Sequence, residues 1–582
     1  MKSTFAVCSC CLLLALGLLS GSALAQQLTP LTSQPPTWPQ WGQNPQHAGM
    51  VNVAGDTLDN QAASTTYDPF VPNEQAANSG ELLTHYQAPL IDGQGKIYMV
   101  LETGTFDPNN ARARTWHEQK LNQSDGHFTV LWDYASDWYP EDPVQLGGWE
   151  PVFSPALAGS FVYVPGANGT VWKLNASDGT VASHLDPFGD TSGNIFESGP
   201  LVADSSGNIF YNAIHFTDAS NFLGTPVIDA WVVKISTTGA ISKVSYSVLV
   251  PNAPTTCEGV FAESQLPWPP SPTAVPPQGF TCGLQRPGIN VSPVIGTDGT
   301  IYTVSRAHFN SRYGFLVAVN SNLTPKWASS LRGHLNDGCG VLIPIQSKKN
   351  VPEKGKCNFG ATIGVEPETN HAGTFRVIDQ SSSTPTVLPD GVLYGAYSRY
   401  NAARGHLAKF DFNGNFVADF DFGWDSTPAV FSQGSTYSIL IKDNHYDEEA
   451  GFYCNPDSSV PVSLTVCAST GIPAGPFYIT QLSPSLVPQW KFHNINFTSD
   501  HPNGFEWCIN APAVDANGFV YVNSEDGNIY RIPQGHTGVF DINTAGSKLF
   551  LKIAIGAAYT PLSIAPDGTI YTENDGVMFA IR

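Results

Sequence analysis

The feature that most restricts the fold is a phrase that the chain repeats eight times. A small residue and a proline lead into an apolar run, a Gly or Asp-Gly turn follows, and a tyrosine-rich run leaves it. The copies begin at Ala88 (APLIDGQGKIYMV), Ser154, Gly199, Ser292 (SPVIGTDGTIYTV), Thr384, Thr427, Ala511 and Thr560. A third run follows each, such as TVWKLN from Thr170 or VMFAI from Val577, and then an often aromatic fourth, such as LWDY from Leu131 or PQWKF from Pro488. Alternating apolar positions, β-branched and aromatic residues, and Gly, Asn or Asp at the breaks mark antiparallel strands. The closest copies, Pro155 and Pro200 for example, lie about 45 residues apart, the length of a propeller blade. The expected fold is therefore all-β, an eight-bladed β-propeller of four-stranded antiparallel blades. A row of separate β-sandwiches is disfavoured, because no linker-like segment divides the units.

The final unit stops after three strands, at Arg582. A ring with one strand missing leaves an unpaired edge, so a strand from the N-terminal side is expected to complete it. Ser64 to Val71 (STTYDPFV) resembles the other fourth strands, and the segment Trp38 to Met50 is expected to pack across the outside. Residues 1–25 read as a secretory leader, with Lys2, an apolar stretch and Ala23-Leu24-Ala25 before Gln26. The remaining 26–582 form one propeller, secreted or periplasmic, monomeric and not inserted in a membrane. A formal charge of −22 repels phosphate backbones and anionic lipid, leaving a small molecule, a glycan or a protein as the expected partner.

In a four-stranded blade, the second-to-third turns and the connections between blades open on one face of the disc. The long insertions gather there: 251–289, 334–380 and 443–480. Cysteines fall in pairs within them, Cys257 with Cys282, Cys339 with Cys357 and Cys454 with Cys467, as staples for polar loops. Cys508 is left as a buried thiol. Long loops on a rigid scaffold are where binding usually resides. Cations recur there on consecutive blades: Arg306, His308 and Arg312, then Arg399, Tyr400 and Arg404, then Lys442, Asn444 and His445. Such an arc could clamp a carboxylate or an acidic sugar. The alternative is internal pairing with Asp443, Asp447, Glu448 and Glu449. Around the central mouth, the residues that open the innermost strands are Glu150, Glu197, Asn290, Asp425 and Asn510.

With the repeats, KLNQSDGHFTVLW (Lys120 to Trp132), KLNASDGTV (Lys173 to Val181) and the N-terminal WGQNPQHAG resemble the quinoprotein alcohol dehydrogenase-like propellers, which include non-catalytic members. The resemblance implies pyrroloquinoline quinone (PQQ) and Ca²⁺ for a catalytic member, with Glu150, Glu197, Asn290 and Asp425 as the metal and base positions. The family's vicinal cysteine pair has its only counterpart in Cys10-Cys11, inside the leader, and its Trp-docking motif is missing from several blades. The function expected is thus non-catalytic binding on the insertion face. The alternatives are a divergent PQQ- and Ca²⁺-dependent alcohol or sugar dehydrogenase and a polysaccharide lyase or hydrolase. No motif nominates a nucleophile.

Overall fold

The computed structural model describes residues 37–582 apart from 260–277, 336–368, 370, 398–404, 424, 445–476, 500, 503, 508 and 553–559. The proposed leader, Cys339, Cys357, Arg399, Tyr400, His445, Cys454, Cys467 and Cys508 lie outside the described residues.

Eight blade sheets of antiparallel strands follow one another along the described chain, the core strands of each in sequence order, beside a separate two-stranded sheet of Thr256–Cys257 and Phe280–Thr281. The first blade is Leu90–Ile91, Ile97–Gly104, Arg114–Ser124 and His127–Ala135. The eighth runs Ser563–Ile564, Ile570–Asn574 and Val577–Ile581, and its fourth strand is Gln61–Thr66 from the other end of the chain. Ser64 pairs with Phe579 and Thr66 with Val577. This strand begins three residues before the segment expected for it and ends at Thr66. Pro69 and Pro72 follow, each lacking the N–H a ladder needs, and Val71–Ala77 becomes a short helix instead.

Packing between blades explains the recurrent Lys-Leu-Asn-x-Ser-Asp-Gly phrase. Trp132 of the first blade donates its indole N–H to the Ala176 carbonyl in the second, 3.2 Å away. Gly179 turns there at φ +74°, where a Cβ would stand 2.8 Å from the indole. Trp327 and Phe412 O repeat the contact at 2.9 Å between the fourth and fifth blades. Two details were not expected. Gly538–Asp541 joins the outer edge of the sixth blade in parallel to Pro488–His493, placing Phe540 5.5 Å from Trp490 and covering that edge. Ser305 to Gly314, expected as a loop, is mostly a hairpin of Ile301–Ala307 and Asn310–Val319 turning on His308 and Phe309.

The N-terminal segment does not lie on the outside. Trp38 to Asn60 forms a strap around the inner rim of the short-turn face, touching the blades in order. Each innermost strand is an edge whose outward N–H has no strand to pair with, and the strap supplies the acceptors. Ile91 donates to Trp38 O at 2.8 Å, Leu157 to Pro39 O at 2.8 Å, Ile295 to Pro45 O at 2.7 Å and Val387 to Gln46 O at 3.0 Å. Val430 donates to Ala48 O at 2.7 Å and Val514 to Gly49 O at 2.8 Å. The third blade uses a side chain, with Ala203 N donating to Gln40 Oε1 at 2.6 Å. At the eighth the direction reverses, Asp56 N donating to Gly568 O at 2.8 Å. Trp38, Trp41 and His47 are buried, and burial pushes His47 down to about 4, so its imidazole is neutral.

Gly49 sits at φ +61°, and a Cβ there would meet Pro512 O at 2.8 Å and the Ala429 Cβ at 3.0 Å. Gly49→Ala is expected to destabilise the fold by at least about 2 kcal/mol, read by thermal or denaturant unfolding. Gly93→Ala, whose Cβ would meet only Thr37 at 3.9 Å, is the control and should stay within about 0.5 kcal/mol of wild type.

Candidate functional site

At the insertion-face mouth the chain turns sharply into each innermost strand. Two of the turning residues, Asn290 at φ +71° and Asp425 at φ +56°, are left-handed, a conformation that Asn and Asp tolerate better than other side chains. Their positions are thus dictated partly by the backbone.

Asp425 is a buried latch. One oxygen accepts from Ser382 N at 2.8 Å, from Ser381 Oγ at 3.1 Å and from Asn510 Nδ2 at 3.1 Å. The other lies 3.1 Å from His85 Nε2. Burial alone would raise this carboxyl, but the hydrogen bonds from His85 and Ser381 and the nearby charges of His85 and Lys442 hold it below the ordinary range. The latch joins blades one, five, six and seven across the axis. Asn290 ties in the fourth, its Oδ1 accepting from Val152 N at 2.8 Å and its Nδ2 donating to Asp379 O at 3.3 Å.

Arg306 and His308 come together, but in an internal network. Asp379 accepts a bidentate pair from Arg286, both at 2.7 Å, and a third bond from Arg306 at 2.9 Å. Burial opposes ionisation of Asp379, yet the two guanidiniums outweigh it and hold it well below the usual carboxylate range. His308 accepts from Arg286 Nε at 3.0 Å and, through Nε2, donates to Thr225 O at 2.7 Å. Burial and the adjacent guanidinium push it down to about 3, so it stays neutral. Arg312 and Lys442 are buried as well, Lys442 close enough to Asp425 to act on it electrostatically.

Glu150 belongs to a different group. Arg114 pairs with Glu74 at 2.7 Å, with Glu102 at 2.9 Å and with Glu150, all of them buried. Glu197 accepts from Trp138 Nε1 at 2.6 Å, and its other oxygen is buried without a hydrogen-bond partner. Glu141 is its electrostatic neighbour and also has an unpartnered buried oxygen. Burial pushes Glu141 up to about 8 and Glu197 well above the carboxylate range. Nothing in the sequence around Glu141 (YPED) announced it, because its role depends on burial alone.

On the rim of the same face the Cys257–Cys282 disulfide forms, both cysteines buried beneath Tyr313 and Ala307. Beside it opens a recess of about 470 Å³ lined by Thr256, Glu258, Tyr313, Arg332 and His371. The Arg332 guanidinium lies 4.0 Å over the Tyr313 ring and 3.2 Å from Glu258, which also accepts from His371 at 3.2 Å. His371 is 56 % and Arg332 32 % exposed at the side chain.

No protein-family model matches the sequence, and no curated protein matches it. Solved structures do. A europium-containing methanol dehydrogenase superposes with a TM-score of 0.52 at 11 % identity, over 93 % of this chain and 90 % of that one. The quinohemoprotein alcohol dehydrogenase from Comamonas testosteroni gives 0.48 at 10 % identity over 96 % and 83 %, and BamB from Moraxella catarrhalis 0.40 at 12 % over 90 % and 98 %. The fold is that of the quinoprotein alcohol dehydrogenase propellers. At these identities the likeness concerns the fold.

The four mouth residues expected to hold Ca²⁺ do not fit that role as a set. Glu150 is gathered with Arg114, Asp425 is filled by donors from three other blades, and the Asn290 amide is bonded at both ends. Only Glu197 presents a buried unpartnered oxygen.

The buried state of Glu141 carries a pH signature. Its folded value of about 8 lies above the unfolded 4.5, so its contribution is full below 4.5 and is lost as pH rises through 8. Glu141→Gln removes that loss. Its stability relative to wild type should improve with pH between 5 and 8 by up to about 1.4 kcal/mol per unit, followed by urea unfolding at each pH.

Proposed function

We propose that the protein is an exported, non-catalytic propeller that binds an anionic ligand, a carboxylate-bearing glycan by preference, on its disulfide-anchored rim. The observation that carries this reading is the recess beside Cys257–Cys282, where Arg332, His371 and the Tyr313 ring meet at an open surface. A planar guanidinium presents paired donors to a carboxylate, and a ring beneath it offers a face for a sugar. Glu258 holds Arg332 and His371 in place, and an incoming carboxylate would exchange with it on those donors. The disulfide fixes the base of the insertion, so less ordering entropy opposes binding. Asp425 supports the non-catalytic half of the reading: a carboxylate filled by donors from three other blades acts as a tie, where a general base needs a free lone pair.

An array of acidic and neutral glycans, probed with the mature protein, is the test. Binding to uronic- or sialic-acid-bearing members is expected, with Arg332→Ala weakening it at least about tenfold, as loss of a charge-assisted bidentate contact should. Binding that ignores Arg332→Ala would move the ligand elsewhere. PQQ- and Ca²⁺-dependent oxidation of alcohols with an artificial electron acceptor would replace the reading with the dehydrogenase alternative.

A further inference from the structure

The strap around the inner rim breaks its own pattern once. Blades one and two bond to the carbonyls of Trp38 and Pro39, and blades four to seven to those of Pro45, Gln46, Ala48 and Gly49. The third blade receives only a side chain, Gln40 Oε1 on Ala203 N. Between Gln40 and Pro45 the chain doubles back on itself, Gln43 N donating to Gln40 O at 3.1 Å, Asn44 N to Gly42 O at 3.0 Å and Gly49 N to Gly42 O at 2.9 Å. Gly42 and Gln43 take left-handed backbone for that turn, at φ +63° and +74°. Asn44 Oδ1 fastens it by accepting from Gln46 N at 3.1 Å and from Ala48 N at 3.0 Å. The detour is therefore a fixed wall.

Where the strap turns away, a cleft of about 770 Å³ opens on the short-turn face, within the range of about 300–1,000 Å³ usual for small-molecule sites. Its other walls are the first-to-second strand turns of blades two, three and four, at Gly159, 204–208 and 296–299, together with Lys234 and Ser321. The charges in these walls are already engaged. Asp204 accepts from Ser206 N and Asn208 N, both at 2.9 Å, and from Asn208 Nδ2 at 2.8 Å. Asp298 accepts from Thr300 N and Oγ1, and Lys234 donates to Ser321 O at 2.8 Å. Two neutral groups of the lining are only half used. Gln40 and Gln43 are 1 % and 7 % exposed. Gln40 accepts from Ala203 N through Oε1, and its Nε2 has no hydrogen-bond partner. Gln43 donates Nε2 to Thr37 O at 3.1 Å, and its Oε1 has none. These bonds also fix which end of each amide is nitrogen. One buried donor and one buried acceptor on the same fixed turn are thus unmatched, a state that native interiors avoid.

We infer that this cleft binds a short neutral oligosaccharide on the face opposite the insertions, with Gln40 Nε2 and Gln43 Oε1 as its recognition pair. A sugar hydroxyl is donor and acceptor at once, so neighbouring hydroxyls of one ring can satisfy both amides. Asp204 and Asp298 outnumber Lys234, which disfavours an anion, and both carboxylates are held inside their own turns, which disfavours a cation. No aromatic ring lines the cleft, so a planar base has nothing to stack on. Exposed Ser205, Ser206 and Thr297 add hydroxyls to the walls. A saccharide meets such a surface along its whole length, whereas a peptide would do so only through its backbone. The wall is already ordered, so little entropy is lost on binding. The cleft shares no residue with the rim recess, and the inference stands apart from the reading given for that recess.

The test uses the full mature protein with maltotriose, cellotriose and triacetylchitotriose as probes, read by saturation-transfer NMR and calorimetry. At least one is expected to bind at millimolar concentration or below, with an affinity unchanged between about 0.05 and 0.5 M NaCl, because no ion pair is formed. Gln43→Met removes the acceptor at nearly constant size and should weaken binding at least about tenfold. Should that variant fail to fold, Thr297→Trp decides, since it fills the cleft from an exposed turn outside the strap and should abolish binding while leaving the melting temperature in place. Arg332→Ala, at the rim, should leave these saccharides bound. No saturation transfer to any of the probes, binding that survives Thr297→Trp, binding weakened by salt or lost in Arg332→Ala, or a preference for triglycine would each overturn the site.

Discussion

The structure depends on what happens to the innermost strand of each blade. In a propeller that strand has a sheet neighbour on one side only, and its other edge faces the axis with backbone N–H groups that must find acceptors. Here they find them in one continuous strap. Seven innermost strands donate to the segment from Trp38 to Gly49, and the turn that follows the eighth accepts from Asp56. The chain then passes Asn60, bonded to Arg582, and becomes the outer strand of that eighth blade. Circular order and ring closure are thus maintained by the same stretch of backbone. Little can be changed inside it, since Gly49 lies against two other blades and His47 is buried neutral between Thr384 and Pro385.

This explains which parts of the fold were legible. Strand number and blade number are local and repeated, so eight imperfect copies reinforce one another; the Lys-Leu-Asn-x-Ser-Asp-Gly phrase on which a tryptophan docks recurs only twice. The strap occurs once. WPQWGQNPQHAG carries glycines and prolines that suit a chain following a curve, but nothing in its own pattern says that its carbonyls face the inside of a ring. The closing strand was legible in kind and displaced in position, because Pro69 and Pro72 forbid the ladder that the aromatic pattern of YDPFV suggested. The parallel strand Gly538–Asp541 was not legible at all; its partner lies in the preceding blade and shares no repeat signal with it.

The mouth positions were legible as positions in the chain and not as a chemistry, and the rim residues Glu258, Tyr313, Arg332 and His371 were not singled out. Mouth residues were found by position, yet Asn290 and Asp425 owe their identity to left-handed turns as much as to their functional groups. Arg306 and His308 do meet, through Asp379 and Arg286. Asp379 could not be assigned to them from sequence because it lies at the far end of the long 334–380 insertion. Charge is unevenly divided as a result. Two guanidiniums share one carboxylate on the fourth-blade side, while three carboxylates surround Arg114 on the first-blade side.

That division bears on where a ligand can act. In a low-dielectric interior an ion pair is strong only while its partners stay together, and removing one partner is far more costly than never having formed the pair. A ligand entering at the axis would have to break Asp425 from His85, Ser382 and Asn510, or Asp379 from two arginines, and its own contacts would have to exceed those losses. At the rim, Arg332 and His371 share a partly buried glutamate, 23 % exposed, beside the more exposed His371, so exchange of partners costs far less than at the axis. The strap closes one end of the ring and the Asp425 latch crosses the other, so the physically easier place for reversible binding is the stapled rim between the third and fourth blades.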